Sequence, residues 1–297
     1  MRRTLPLRLR GSTQLLGQRT WLMGVINVTP DSFYGGSRTP DAERAVARGL
    51  ELESQGADIL DIGGESSRPG SDPVPAAEEI RRVVPVISGL RRQTDIFLSV
   101  DTNKRKVAQA AVEAGADIIN DISALRFDAG LLDWIASSGA AVVLMHMLGT
   151  PKTMQVEPCY EDVLAEVRSF LGARKAAAEA AGLEADRIIL DPGIGFGKRP
   201  EDNLTLLNRL SDLGGLGCPL LVGPSRKSFL SAILDLPAEE RLEGTLAAAV
   251  LCVAHGAHIL RVHDVEAVRR AVLTAEAVLA ERLSPDRPGK SEACRAG

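Results

Sequence analysis

Polar and charged side chains stand where short apolar runs of this 297-residue chain end: Asn27, Asp61, Asp101, Asn120, His146, Asp191, Ser225-Arg226-Lys227, Arg261 and His263. Carboxylates and amides gathered in one place hold a hydrogen-bonding ligand, and each left unpaired and buried would cost about 1–3 kcal/mol. The run Ser225 to Ser228, opening a predicted helix, adds cations and helix N-terminal amides, and with Arg261 and His263 it suits an anionic group. Singly, each residue has an inert reading. Asp101, ahead of Thr102-Asn103-Lys104, could cap a helix, and Asp61 or Asn120 could tie down a loop. Together they point to a polar ligand that carries an anion.

Other chemistries fit less well. The run Asp191-Pro192-Gly193-Ile194-Gly195-Phe196-Gly197-Lys198 is glycine-rich, but a Walker loop needs Gly at position 192 and Ser or Thr at 199, where Pro192 and Arg199 stand. A dinucleotide fingerprint fails because Lys198 takes its last glycine position. These glycines instead let backbone approach a flat ligand. His255 and His258 are separated by a helix-to-strand break, which spoils a zinc pair. There is no Gly-x-Ser-x-Gly elbow, and His146 has no evident Ser or Cys partner for acyl transfer. Two long loops rich in Gly, Pro and Ser, 29–40 and 63–75, are candidate lids. Arg68 in the second could reach the anion, or pair with Asp31 or Glu65.

The elements that must position these residues alternate. Eight apolar runs, 21–28, 57–62, 96–100, 117–122, 141–147, 188–190, 219–222 and 258–262, lack a clean polar alternation, the mark of parallel strands covered on both faces. Between them lie helical patterns at 41–55, 76–93, 104–114, 128–138, 160–181, 201–213, 227–255 (broken near Pro237) and 265–282. Three junctions repeat: Gly56-Ala57-Asp58-Ile59, Gly115-Ala116-Asp117-Ile118 and Gly256-Ala257-His258-Ile259. Eight such βα units with right-handed crossovers favour a single α/β (β/α)8 TIM barrel over an open sheet. Its mouth, at the strands' C-terminal ends, would gather the polar residues. Residues 1–20, with Leu5, Leu7 and Leu9 alternating, predict an N-terminal hairpin that plugs the bottom, 21–283 the barrel, and 284–297 a flexible tail.

The composition, 45% hydrophobic and 25% charged, is that of a soluble globular chain. A net charge of −4 with scattered basic residues gives no nucleic-acid footprint. The four cysteines form no CxxC pair, so a reducing cytoplasm is expected. No apolar stretch follows the basic start, so secretion is not expected. The longest apolar run, 246–254, falls short of the roughly 20 residues of a membrane helix. The Asn-x-Thr triplets at Asn27 and Asn203 carry no weight in such a chain.

In its motifs the chain resembles the dihydropteroate synthases, pterin-binding barrel enzymes of folate biosynthesis. The resemblance runs from about Trp21 to Val265 through Met23 to Phe33, Asp61 to Gly70, Ser99-Val100-Asp101-Thr102, Asn120-Asp121-Ile122, Met145-His146-Met147, Asp191 to Lys198, Ser225 to Phe229 and Arg261 to Val265. It implies condensation of 6-hydroxymethyl-7,8-dihydropterin pyrophosphate with 4-aminobenzoate, with Mg2+ assisting. On that resemblance Asp101, Asn120, Asp191 and Lys227 hold the pterin, flanked by Ile122, Met145 and Phe196. Asn27, Ser67, Arg68, Arg261 and His263 take the pyrophosphate, and Asn27 offers oxygen to the metal. Phe33, Ser67, Pro69, Lys227 and Ser228 line the 4-aminobenzoate pocket, and Asp101, Asp191, Lys227 and Arg261 are the catalytic set. A homodimer packed through late helices is also implied, with 246–254 either a contact or an internal core helix.

Two positions depart from the family pattern: Ser67 replaces the usual Thr, and Phe33-Tyr34-Gly35-Gly36-Ser37 lacks the Asp common between the Phe and the glycines. Two other readings keep the pterin residues. One is a methyltetrahydrofolate:corrinoid methyltransferase, which needs no pyrophosphate cradle. The other is a catalytically silent pterin-binding paralogue.

Overall fold

Each barrel strand divides its side chains between two separate apolar clusters, and this division builds the fold. In the computed structural model, which describes residues 2–28, 38–67 and 70–282, eight parallel strands form one sheet: β3 (Trp21–Asn27), β4 (Ile59–Gly63), β5 (Phe97–Asp101), β6 (Ile118–Asp121), β7 (Ala141–Met145), β8 (Ile188–Asp191), β9 (Leu221–Val222) and β10 (Ile259–Val262). The strand order 8-7-6-5-4-3-10-9 is closed by a parallel bridge between Leu190 and Leu220. Leu22, Leu60, Leu98, Ile119, Val142, Leu190, Val222 and Leu260 point outward into a core shared with the helices. Trp21, Met23, Ile59, Ile118, Ala141, Val143, Ile189, Leu221 and Ile259 point inward and fill the lower half of the barrel. Strand side chains alternate with period 2, so both faces read apolar there and the alternation is hidden in the sequence.

The surrounding helices are α1 (Arg38–Ser54), α2 (Ala76–Arg91), α3 (Arg105–Glu113), α4 (Ala129–Ser138), α5 (Val163–Ala180), α6 (Pro200–Asn208), α7 (Ser228–Leu234), α8 (Leu242–Ala254) and α9 (Val265–Leu279). Asp128 and Asp162 cap α4 and α5 through their carboxylates. The predicted helix 227–255 is two helices. α7 ends at Asp235 in the left-handed region, and a 3-10 turn after Pro237 leads into α8. The helix predicted at 201–213 ends at Asn208, and 210–216 winds as a 3-10 helix. Among the described residues no helix is long and apolar enough to cross a membrane.

The three repeated junctions share one task. The second residue after each helix-ending glycine accepts a backbone N–H at the start of a neighbouring strand. Asp58 accepts from Leu22 at 2.9 Å, Asp117 from Leu98 at 2.8 Å, and His258, through Nδ1, from Leu220 at 3.1 Å. His258 is thus a buried acceptor whose other ring nitrogen meets the Arg3 carbonyl.

Below the strands the hairpin of β1 (Leu5–Leu9) and β2 (Ser12–Leu16) lies across the barrel floor. Leu7, Leu9 and Leu16 are buried in the inward cluster. The arginine-rich start holds it there: Arg2 pairs with Glu276, Arg8 with Asp186, Arg10 with Asp117 and Arg19 with Asp58. The expected tail, 284–297, lies outside the described residues. Leu9→Ala should lower unfolding free energy by about 2–5 kcal/mol in denaturant titration. Leu15→Ala, at a side chain 55% exposed, should change it by less than about 0.5 kcal/mol.

Candidate functional site

Continuing the inward period of each strand upward replaces apolar residues with polar ones. Asn27 pairs in register with Gly63, Gly63 with Asp101, and Asp101 with Asn120; Met145 pairs with Asp191 on the far side. Arg261, on β10, reaches across the interior. Its Nε donates to Asp61 Oδ2 at 2.7 Å and its Nη2 to Asp101 Oδ2 at 2.8 Å. Asn120 Nδ2 donates to the same Asp61 oxygen at 3.0 Å. One guanidinium therefore serves two carboxylates.

Above this triad lies a small cavity. Asp101, Asn120, Ile122, Met145, Asp191, Phe196 and Lys227, the predicted pterin set, all line it, joined by Ser67 and Arg261. Lys227 Nζ sits 4.1 Å above the Phe196 ring, a cation–π contact. Gly193, Ile194 and Gly223 also line the cavity, Gly193 and Ile194 within the glycine-rich run expected to approach a flat ligand. Gly193 has φ +69°, and a Cβ there would lie 1.9 Å from the His146 carbonyl oxygen, so only glycine fits. Its N–H donates to Asp191 Oδ1 at 2.7 Å and fixes that carboxylate.

Among the buried side-chain atoms left without a partner in the described residues, three belong to inward positions of these strands: Asp61 Oδ1, Asn120 Oδ1 and Ser99 Oγ. Two of them are pure acceptors, so the unmet demand is for a donor-rich ligand. Ser99 could have been found by stepping two residues back from Asp101 along the strand. Burial shifts the charged groups toward neutrality. It raises the Asp101 carboxyl, aided by repulsion from Asp61 and opposed by Arg261. It raises Asp191, opposed by the Gly193 N–H and Lys227. It lowers the Lys227 ammonium, aided by Arg261 and opposed by Asp191 and Asp101.

The loop after β6 holds Ile122 in place by an unusual route. Ala124 and Leu125 both have positive φ, +54° and +62°. Asp121 accepts from the Ser123 and Leu125 N–H groups at 2.7 Å, and Arg174 donates to the Ala124 carbonyl at 2.8 Å. The loop anchor is thus Asp121, not Asp61, which pairs with Arg261, or Asn120, which lines the cavity.

The basic group after β9 separates into different tasks. Arg226 turns away to a two-point ion pair with Asp264 at 2.6 and 3.0 Å. His263 Nδ1 bonds Ser225 Oγ at 3.0 Å, and burial together with the nearby Arg261 pushes its ring down to about 4. It offers a neutral ring where a cation was expected. Ser228 opens α7 and is exposed. Asn27 Oδ1 and Asp101 Oδ2 each lie 3.9 Å from the point a Cβ on Gly63 would occupy. His146 is buried against Lys198. Glu65 pairs with Lys104. Phe33, Arg68 and Pro69, and with them Asp31 and Gly35, lie outside the described residues.

A family model described as pterin binding enzyme matches residues 23–263. The chain is 46% identical over 263 residues to the dihydropteroate synthase of a Synechocystis species, covering 88% of this chain and 91% of that one. It resembles a solved Xanthomonas albilineans dihydropteroate synthase with 4-aminobenzoic acid, with TM-score 0.87 and 48% identity over 94% of this chain and 99% of that one. It also resembles that organism's enzyme in complex with 7,8-dihydropteroate, with TM-score 0.83 and 46% identity over 93% and 99%.

The shared guanidinium makes the two carboxylates respond oppositely to its neighbours. Asp61→Asn removes a repelling charge and should lower the pKa of Asp101; Arg261→Gln removes an attracting one and should raise it. Carboxyl 13C chemical shifts followed against pH read both, and shifts of the same sign would refute the arrangement.

Proposed function

The chain belongs to the pterin-binding enzyme family, and we propose that its inward-facing polar residues divide the work of dihydropteroate synthesis as follows. The activity is that of a folate-biosynthesis transferase, condensing 6-hydroxymethyl-7,8-dihydropterin pyrophosphate with 4-aminobenzoate to give 7,8-dihydropteroate and pyrophosphate. The orphaned acceptor Asn120 Oδ1, on the slot's wall beside the Asp61–Arg261–Asp101 triad, carries the reading of the slot. A pterin presents a lactam N–H and an amino group, donors that match Asn120 Oδ1 and the Asp191 carboxylate, while Lys227 donates to its acceptor atoms. Ile122, Met145 and Phe196 cover its faces.

An aromatic amine is a weak nucleophile, so departure of pyrophosphate is the step to assist. Arg261 is the central group for this. Its Nε and Nη2 are committed to carboxylates, and Nη1, which makes no hydrogen bond among the described residues, is left for a phosphate oxygen. Ser67 and His263 add neutral donors, and Arg68 a second cation. As the C–O bond breaks, positive charge grows on the pterin methylene, and Asp101 and Asp191 favour it electrostatically. The 4-aminobenzoate nitrogen then attacks, with Phe33, Ser67, Pro69, Lys227 and Ser228 around that substrate. The attacking amine sheds its proton after bonding, so no strong general base is needed.

Mg2+ fits this arrangement. Among the described residues no three His, Cys, Asp or Glu side chains form a cage, but Asn27 offers an amide oxygen beside Asp101, and magnesium is commonly held by one or two protein oxygens plus phosphates and water. When bound, it would supply neutralising charge to the departing pyrophosphate. We further assign the protein to the cytoplasm as a homodimer, with the exposed Leu251 of α8 and Val278 of α9 as contact residues.

Pyrophosphate release by purified protein with both substrates and Mg2+ tests the activity; pterin binding without release would mark a silent paralogue. Arg261→Ala should weaken the pyrophosphate-bearing substrate by about 100-fold or more, and free hydroxymethylpterin far less. Equal losses in the two titrations would remove Arg261 from the pyrophosphate. Chelation by EDTA should slow condensation, with recovery on adding Mg2+. Because burial raises Asp101 and Asp191 and lowers Lys227, kcat/KM against pH should be a bell narrowed on both sides. Its acid limb should lie above the ordinary carboxylate range and its alkaline limb below the ordinary lysine range.

A further inference from the structure

Behind the slot lies a buried amine that the condensation does not use. Lys198 follows the glycine-rich loop and is 3% exposed. Its Nζ meets three acceptors: His146 Nδ1 at 2.9 Å, the Phe196 carbonyl at 3.0 Å and the His146 carbonyl at 3.4 Å. The three neighbours match the three N–H donors of an ammonium, a form that burial disfavours, pushing the amine down to about 7, and that Asp191 and Asp202 favour. The His146 ring packs edge-on against Phe170, centroids 4.9 Å apart, and lies near Tyr160, whose hydroxyl donates to the Gly197 carbonyl at 2.6 Å. Consecutive carbonyls of the loop are therefore each held by a buried side chain.

The loop sits directly on the backbone after β7. A Cβ on Gly193 would strike the His146 carbonyl, and one on Gly197 would lie 2.7 Å from Leu148 Cβ. At that closeness the carbonyls of His146 and Phe196 face a common point, where only a donor between them offsets their repulsion. The Phe196 ring, carried on the same residue as one of these carbonyls, lines the slot and lies under Lys227.

We propose that Lys198 is a positioning residue for pterin recognition, its amine stapling the glycine-rich loop to the end of β7 so that Phe196 presents a fixed ring to the heterocycle. This rests on the reading of the slot as the pterin site. His146 completes the staple as an acceptor: burial and the charges of Lys198 and Arg126 push its ring down to about 2, which keeps Nδ1 free of a proton.

The test is fluorescence titration of 6-hydroxymethylpterin together with the KM of each substrate. Lys198→Met keeps the stem and removes the donors; it should raise the pterin Kd about tenfold or more and leave the KM for 4-aminobenzoate unchanged at saturating pterin pyrophosphate. His146→Asn, whose Oδ1 replaces Nδ1, should stay within about threefold of the original Kd, whereas His146→Leu, which fills more volume but accepts nothing, should follow Lys198→Met. Should Lys198→Met fail to fold, the His146 pair still decides, because equal losses in Asn and Leu overturn the staple. A wild-type pterin Kd in folded Lys198→Met, or equal losses for both substrates, also overturns it. Asp191→Asn, titrated alongside, separates the two levels. Unchanged pterin affinity there ends the slot assignment and this role with it; a loss there beside an unchanged Lys198→Met ends the positioning role alone.

Discussion

A single guanidinium between two buried carboxylates sets the terms for this barrel. Arg261 holds Asp61 and Asp101 inside a closed sheet, where Coulomb forces are weakly screened and every unpaired charge is costly. The triad keeps one surplus negative charge, and the nearby groups respond to it and to the dry surroundings: carboxyl groups rise, and the Lys227 ammonium falls. The dryness comes from below. The inward apolar residues and the hairpin leucines fill the lower half, so ligand and water meet the charged layer only from the mouth. Stability and chemistry thus occupy opposite halves of the same strands.

Much of this was legible in the sequence, for definite reasons. Parallel strands covered on both faces show as unbroken Ile, Val and Leu runs, and a barrel puts its polar residues where those runs stop. That is why Asp101, Asn120, Asp191 and Lys227 could be named and do share one cavity. The inward period was not legible, because in the lower half both faces are apolar; Ser99 and the pairing of Asp61 with Arg261 were therefore missed. Side-chain direction at the strand ends was equally hidden. Arg226 and Lys227 are neighbours in sequence, yet one turns out to Asp264 and the other into the slot. Arg226 itself has φ +57°, a turn that no feature of its sequence signals.

The repeated Gly-Ala-x-Ile junctions teach a similar lesson. Their glycines end helices, as expected, but the third residue carries the structural work by accepting an N–H at a strand's start. Two of the three are aspartates bound by arginines of the N-terminal segment. The third, His258, does the same with a ring nitrogen, which explains a histidine that spacing alone could have linked to a metal. The basic N-terminus owes its composition to these floor carboxylates.

The sheet closes through a seam one bridge wide, between Leu190 and Leu220, beside a strand only two residues long. Asp191 stands on one side of that seam and Gly223 and Lys227 on the other. A heterocycle seated between them spans the thinnest part of the cylinder wall, acting as a rivet as well as a reactant. Occupancy should therefore tighten the whole cylinder by mass action, and the emptied enzyme should exchange its amide protons fastest along that one line.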